Sequence, residues 1–337
     1  MAAPVLHEHE TPVADFGDVR GEFAAMHSAC GVYDLARAKI ALTGNDRVRW
    51  LNGMVTNNVR DLAVDHGVYA FLLNPQGHIL ADLYAYQRGD SLLIDCARAH
   101  VQKILELFDH YIIMDDVEVA DVSEQLAAVG IAGPKAHDVV RAAGFERNLE
   151  SLQVANAMWR DHAVTVVKMD NPGVEAYELW PAPGDKAALW EALVKAGAKP
   201  VGASALELSR IASGVPRYGQ DIRERDLPQE TEQDRALNFS KGCYIGQEIV
   251  ERIRSRGQVH RKFTGFVVEG ALPAPGTKIQ AEGKDVGEIT SAASLPTAGG
   301  ERGVALGYLR RELAVAGKQV EAGGKLTVAN LPFADIT

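Results

Sequence analysis

Lys241-Gly242-Cys243-Tyr244-Ile245-Gly246-Gln247-Glu248 sets a lysine two positions before a cysteine and a glycine on either side of the thiol-bearing segment. A thiol held in a tight turn beside a cation favours its thiolate form. Cys243 is therefore read as a candidate reactive group, with Lys241 as its electrostatic support. The competing reading is a buried small hydrophobe, because free cysteine is among the residue types most often buried. Immediately downstream, Arg252, Arg254, Arg256, His260, Arg261 and Lys262 form a basic run. Such a run holds an anionic tail or a phosphate, or is simply a solvated face.

Working outward, residues 67–86 read as a hairpin: an apolar run to Leu73, the turn Asn74-Pro75-Gln76-Gly77, then Ile79 to Tyr86. Asparagine, proline and glycine at the first, second and fourth positions suit a type I turn. Alternation puts Leu80, Asp82, Tyr84 and Tyr86 on one face and Ile79, Ala81, Leu83 and Ala85 on the other. Residues 99–110 carry Val101, Ile104, Leu105 and Phe108 at helical spacing. Strands are expected over Val164–Met169 and Ala176–Trp180, around a turn at Asn171-Pro172-Gly173. A helix over 186–196 is expected to be capped by Asp185 and stopped by Gly197, and another to open on a Ser204/Glu207 capping box and end near Gly214.

After Gln258 the chain becomes short apolar runs separated by proline and glycine, the pattern of a small β-barrel. The fold class is α+β. Residues 1–256 are expected to form two interleaved α+β modules and residues 257–337 the barrel.

Composition narrows the function. With 337 residues, 47% hydrophobic and 24% charged, the chain has ample core for more than one module. A net charge of -10 argues against a stable nucleic-acid complex, which needs a concentrated positive field. No apolar run approaches a membrane span and no secretory signal is visible, so the expected location is cytoplasmic. Three cysteines, Cys30, Cys96 and Cys243, are odd in number and far apart, which fits neither a disulfide framework nor a zinc site. Dinucleotide, phosphate-loop, zinc-protease and nucleophile-elbow motifs are all missing from the sequence. No resident metal is expected, and His7 and His9 are assigned to a flexible terminus.

The Lys241–Glu248 stretch resembles the signature of the YgfZ-type folate-binding proteins, relatives of the glycine-cleavage T-protein that take part in iron–sulfur protein maintenance. The resemblance extends in order through Gly31–Leu35, Thr56 and Asn57, the turn from Leu73 to Gly77, Asp82 and Leu83, Ala176–Trp180, Leu189–Gly197 and Gly214–Ile222. It implies T-protein-like folate-binding modules closed by a small C-terminal β-barrel. It also implies tetrahydrofolate as cofactor; the basic run, with Arg252 and Arg254, is expected to meet the anionic tail and so to favour polyglutamylated forms. A pterin presents an amino group and a ring N–H side by side, and one carboxylate accepts both. Glu178, with Tyr177 beside it, matches the pterin-reading position, and Asn57 belongs to the Thr-Asn step. Asp82 matches an acid near the reactive nitrogens, where apolar neighbours would raise its pKa.

The sequence also departs from the aminomethyltransferases. Their paired aspartates are represented by Ala81 and Asp82, and an asparagine on the next strand by Asp95. The resemblance therefore implies a folate-binding protein supporting iron–sulfur cluster assembly or repair, linked to tRNA modification, with assembly or client proteins as partners. Cys243, Lys241 and Asp82 would supply any chemistry. The alternatives are a folate-dependent aminomethyltransferase or demethylase and a catalytically silent folate sensor.

Overall fold

The computed structural model describes residues 12–146 and 148–334; His7, His9 and the Arg256 side chain lie outside what is described. The chain packs as two compact units: the first is the chain up to Ala70 with Asp82–Ala205, the second Phe71–Ala81 with Leu206 onward.

Two sheets run through the first unit, the second of them with strand ends, residues 71–73 and 79–81, that count to the other unit. One has six strands in the order β11 (Lys199–Pro200), β1 (Gly31–Asp34), β7 (Val129–Ala132), β10 (Ala176–Pro181), β9 (His162–Lys168) and β8 (Val154–Trp159). The other runs β3 (Gly67–Leu73), β4 (Ile79–Gln87), β5 (Leu92–Ala97), β2 (Arg37–Thr43) and β6 (Glu118–Asp121). Helices α1 (Val19–Ser28), α2 (Arg47–Met54), α3 (Val101–Tyr111), α4 (Ala136–Ala142) and α5 (Lys186–Lys195) accompany them.

The alternation expected for β4 is present: Ile79, Ala81, Leu83 and Ala85 are buried, while Leu80, Asp82 and Tyr84 are half-buried. Every residue of β10 is buried, so each face must find its own core. Tyr177 and Leu179 join Val139, Val140, Leu189 and Leu193 from α4 and α5. Trp180 joins Tyr86, Val154 and Val167 on the other side. In α3, Ile104 and Phe108 face inward, and Phe108 meets Trp50 edge-on at 5.1 Å.

Gly197 stops α5 as expected. Its φ of +112° lets its N–H reach the Val194 carbonyl and the Ala198 N–H reach that of Leu193. The start of α5 differs from expectation. Asp185 stands at the N-cap but makes no capping hydrogen bond, its carboxylate lying 3.0 Å from His162 Nδ1. Helix α6 (Ala203–Ala212) begins one residue before Ser204, and the Glu207 carboxylate expected in its capping box accepts instead from Arg210 and Arg217.

The second unit contains α7 (Gln247–Arg256) and a closed barrel. The barrel order is β12 (Arg261–Glu269), β15 (Gly300–Arg310), β14 (Lys284–Thr297), β13 (Lys278–Ala281), β16 (Gln319–Glu321) and β17 (Lys325–Ala329). Phe266, Ile279, Ile289, Leu309 and Leu326 fill it. Buried Asp221 ties the preceding loop to the barrel by accepting hydrogen bonds from Arg210 and from the hydroxyls of Thr290 and Ser291. No helix among the described residues is long and apolar enough to cross a membrane.

Candidate functional site

Glu178 is 5% exposed, and its carboxylate belongs to a charged quartet inside the first unit. Register creates that quartet. Lys39 on β2 pairs directly with Asp95 on β5, and Arg37 lies two residues along the same face. Arg37 grips Asp95 with both arms, Nη2 to Oδ2 at 2.7 Å and Nε to Oδ1 at 3.0 Å, while Lys39 Nζ donates to Oδ1 at 2.6 Å. The same ammonium lies 3.9 Å from Glu178 Oε2 and 3.9 Å from the centroid of the Trp180 ring. Trp180 Nε1 donates to Oε2 at 2.8 Å.

Two cations and two anions leave the quartet formally neutral, which is how a buried charge cluster is tolerated. The two acids are nevertheless treated differently. Burial alone would push both up, but Arg37 and Lys39 hold Asp95 below the usual carboxylate range. Glu178 is raised, by burial first and by the Asp95 charge second, with Lys39 and Arg37 pulling the other way. Among the described residues nothing donates to Glu178 Oε1. A carboxylate with one oxygen anchored and the other open is ready to accept a pair of neighbouring N–H donors.

Asp82 and Glu178 stand at opposite ends of an aromatic row. Tyr69 Oη donates to Asp82 Oδ2 at 2.9 Å; the Tyr69 ring lies 5.0 Å from Tyr84, Tyr84 6.3 Å from Tyr86, and Tyr86 5.4 Å from Trp180. Asn57 Nδ2 donates to the Tyr69 carbonyl at 2.8 Å, a bond to β3 at the first ring of this row.

Tyr177 does not join this group. Adjacent strand residues point to opposite faces, so Tyr177 leaves the Glu178 cluster and lines a separate cavity of about 440 Å³ with His137, Lys168 and Glu175. There its hydroxyl donates to Glu175 Oε1 at 2.9 Å. Lys39, Arg37 and the tyrosine row were not singled out from the sequence. Their signal was a lone lysine in the apolar β2 segment and a lone aspartate in the apolar β5 segment.

The Cys243 segment belongs to the second unit. Cys243 is exposed, so the buried-hydrophobe reading does not hold, while Cys30 and Cys96 are buried and burial pushes each thiol up to about 12. Lys241 is buried, with its ammonium 4.9 Å from the Tyr244 ring centroid. The basic run divides. Arg252 is exposed on α7, Arg254 lies 4.4 Å from the Phe239 ring centroid and 3.6 Å from Glu251, and Arg261 and Lys262 are ion-paired with Asp226, Glu230 and Glu232. Among the described residues no cluster of histidine, cysteine and acidic side chains suits a metal.

Comparison with known proteins gives concordant matches. The GCVT N-terminal domain profile matches residues 4–241, and the glycine cleavage T-protein C-terminal barrel domain matches residues 261–335. A Rubrobacter xylanophilus protein named aminomethyltransferase is 28% identical over 308 residues, spanning 90% of this chain and 82% of its own. One of the same name from Geobacillus kaustophilus is 28% identical over 335 residues, spanning 96% and 91%. The crystal structure of glycine cleavage system aminomethyltransferase T from Bartonella henselae shares the fold, with a TM-score of 0.84 at 22% identity over 94% of this chain and 90% of that one. The two domain matches, collinear across most of the sequence and meeting the α+β region and the closed barrel where they are seen, make this chain a member of the glycine cleavage T-protein family.

Proposed function

We propose that this protein binds tetrahydrofolate through its first unit, with Glu178 accepting the paired N–H donors of the pterin. On this reading it is a YgfZ-type protein that supports iron–sulfur cluster assembly or repair, with a link to tRNA modification, and Cys243 is its working thiol. The observation that carries the folate reading is Glu178 itself: a buried carboxylate, one oxygen anchored by Trp180, the other open. Asp82 at the far end of the aromatic row is the acid nearest the ligand's reactive nitrogens. The cluster-support reading rests on the exposed thiol in its Lys-Gly-Cys segment and on Ala81, where the aminomethyltransferases resembled here carry an aspartate.

Titration calorimetry with a reduced folate tests the first part. Glu178→Ala removes a charge-assisted contact of about 1.5 to 3 kcal/mol, a loss of about ten- to a hundred-fold in affinity. No binding by the parent protein, or unchanged affinity in the variant, refutes it. The aminomethyltransferase reading is favoured by the names of relatives matching at least 90% of the chain. Transfer of an aminomethyl group from the lipoylated carrier protein to tetrahydrofolate decides for that reading. Failure of Cys243→Ala to restore iron–sulfur enzyme activity, in a strain lacking its own protein of this type, decides for ours.

A further inference from the structure

We infer that Asp95 and Lys39 are positioning residues that set the pH window in which Glu178 accepts its ligand. The inference rests on Glu178 as the pterin reader and deepens that assignment.

The geometry is a competition for one ammonium. Lys39 Nζ is 2.6 Å from Asp95 but 3.9 Å from Glu178, so the cation that would favour an ionised Glu178 is held mainly by another carboxylate. Arg37 does not release it, because both of its arms are also committed to Asp95. Glu178 is thus left with a single neutral donor, Trp180, and a distant share of Lys39. The remaining titratable neighbours favour its neutral form or weigh little. Tyr86 packs on Trp180 from β4. Tyr33 on β1 covers Gly130, the register partner of Glu178 on β7, closely enough that a Cβ at Gly130 would meet the ring. The β9 neighbour, Val167, carries no charge. Lys39 and Asp95 therefore act on Glu178 in opposite senses from adjacent strands, with Arg37 adding a weaker pull in the same sense as Lys39. A pterin edge binds the ionised carboxylate, so whatever moves Glu178 between its two forms moves affinity with it.

The sign follows. Asp95→Asn removes the competing anion, frees Lys39 toward Glu178 and moves the affinity midpoint to lower pH. Lys39→Met removes the cation and moves it to higher pH. Lys39→Arg keeps the charge and keeps the parent midpoint. On the acid side of the midpoint, each unit of displacement is a tenfold change in affinity at fixed pH.

The experiment is calorimetry of the full chain with 5-methyltetrahydrofolate across a pH series. Ionisation of the ligand is common to all variants and cancels in the comparison. The expected result is opposite displacement of the Asp95→Asn and Lys39→Met midpoints, with Lys39→Arg unmoved. If Lys39→Met does not fold, the acid shift of Asp95→Asn against Lys39→Arg carries the test alone. Variants that change affinity by a constant factor, with the midpoint where the parent has it, overturn the inference and reduce both residues to packing. Glu178→Gln separates the two levels. If it binds like the parent at every pH, the pterin assignment itself is wrong. If it weakens binding while Asp95→Asn leaves the midpoint in place, only the present inference is.

Discussion

Gly246 and Asn74 lie in direct backbone contact: a Cβ on Gly246 would sit 2.6 Å from the Asn74 carbonyl oxygen and 3.0 Å from Leu73 Cβ. Gly246 also has a φ of +81°, as the residue that caps α7. Gly77, at the end of the same turn, is closed from the other side, because its Cβ would lie 2.8 Å from that of Ile249. The glycines of two stretches more than a hundred and sixty residues apart are thus two halves of one packing contact between the hairpin tip and the start of α7.

Gly246→Ala should therefore cost about 2 to 4 kcal/mol, adding a left-handed backbone penalty to a clash with a backbone oxygen. Gly242→Ala is the control: nothing lies within 4 Å of its Cβ position, and its change should stay within about 0.5 kcal/mol. Denaturant titration of both variants gives the comparison. Equal stabilities would mean that this contact relaxes freely.

Cys243 should alkylate well ahead of Cys30 and Cys96 in the native protein. It is the exposed thiol of the three, whereas burial raises the other two to about 12, leaving almost no thiolate near neutral pH. Mass-spectrometric mapping of a time course with limiting iodoacetamide ranks all three. Modification of Cys30 or Cys96 first would contradict the packing described for the first unit.

Glu288 predicts a pH dependence of stability. Burial works against its ionised form, but hydrogen bonds from Lys278 at 2.6 Å and Arg223 at 2.5 Å prevail and lower its carboxyl from 4.5 to about 2. A folded pKa below the unfolded one gives stabilisation that is complete above the unfolded value and drains as pH falls through the folded value. The Lys278 side chain is more than half exposed, as is that of Arg225, whose Nη2 lies 3.2 Å from Glu288 Oε1, so after screening the contribution is about 1 to 2 kcal/mol. Glu288→Gln should be less stable than the parent at pH 7, and the gap should close between pH 5 and 2. A gap that stays constant in urea titrations at pH 7 and pH 3 would remove the ion pairs from the account.

The local devices of this fold were legible and its long-range charges were not. Asn74 and Gly77 announced the hairpin turn, and the Gly77 N–H does bond the Asn74 carbonyl at 2.9 Å. Gly197 announced the end of α5 because only a residue tolerant of positive φ fits there. Asp185 and Glu207 misled at the starts of α5 and α6 because each carboxylate found a partner outside the cap, His162 for one and the Arg210 and Arg217 guanidinium groups for the other. The resemblance sets Tyr177 in one block with Glu178, whereas strand alternation puts the two side chains on opposite faces. The Arg37–Lys39–Asp95–Glu178 quartet needs the register of β2 on β5 and the packing of one sheet on another, and no sequence window contains either.

The chain passes from one compact unit to the other at 70/71, 81/82 and 205/206. The barrel strands are contiguous from Arg261 to Ala329, but the unit that contains them is not, since it borrows Phe71–Ala81 from a hairpin rooted elsewhere. No single cut yields both units whole. Inheritance of this architecture is accordingly indivisible along the gene between residues 81 and 246: an exchange of segments between homologues placed there separates residues 71–81 from 246–249 and splits a lock from its key, whereas one placed just before Arg261 carries every barrel strand across intact.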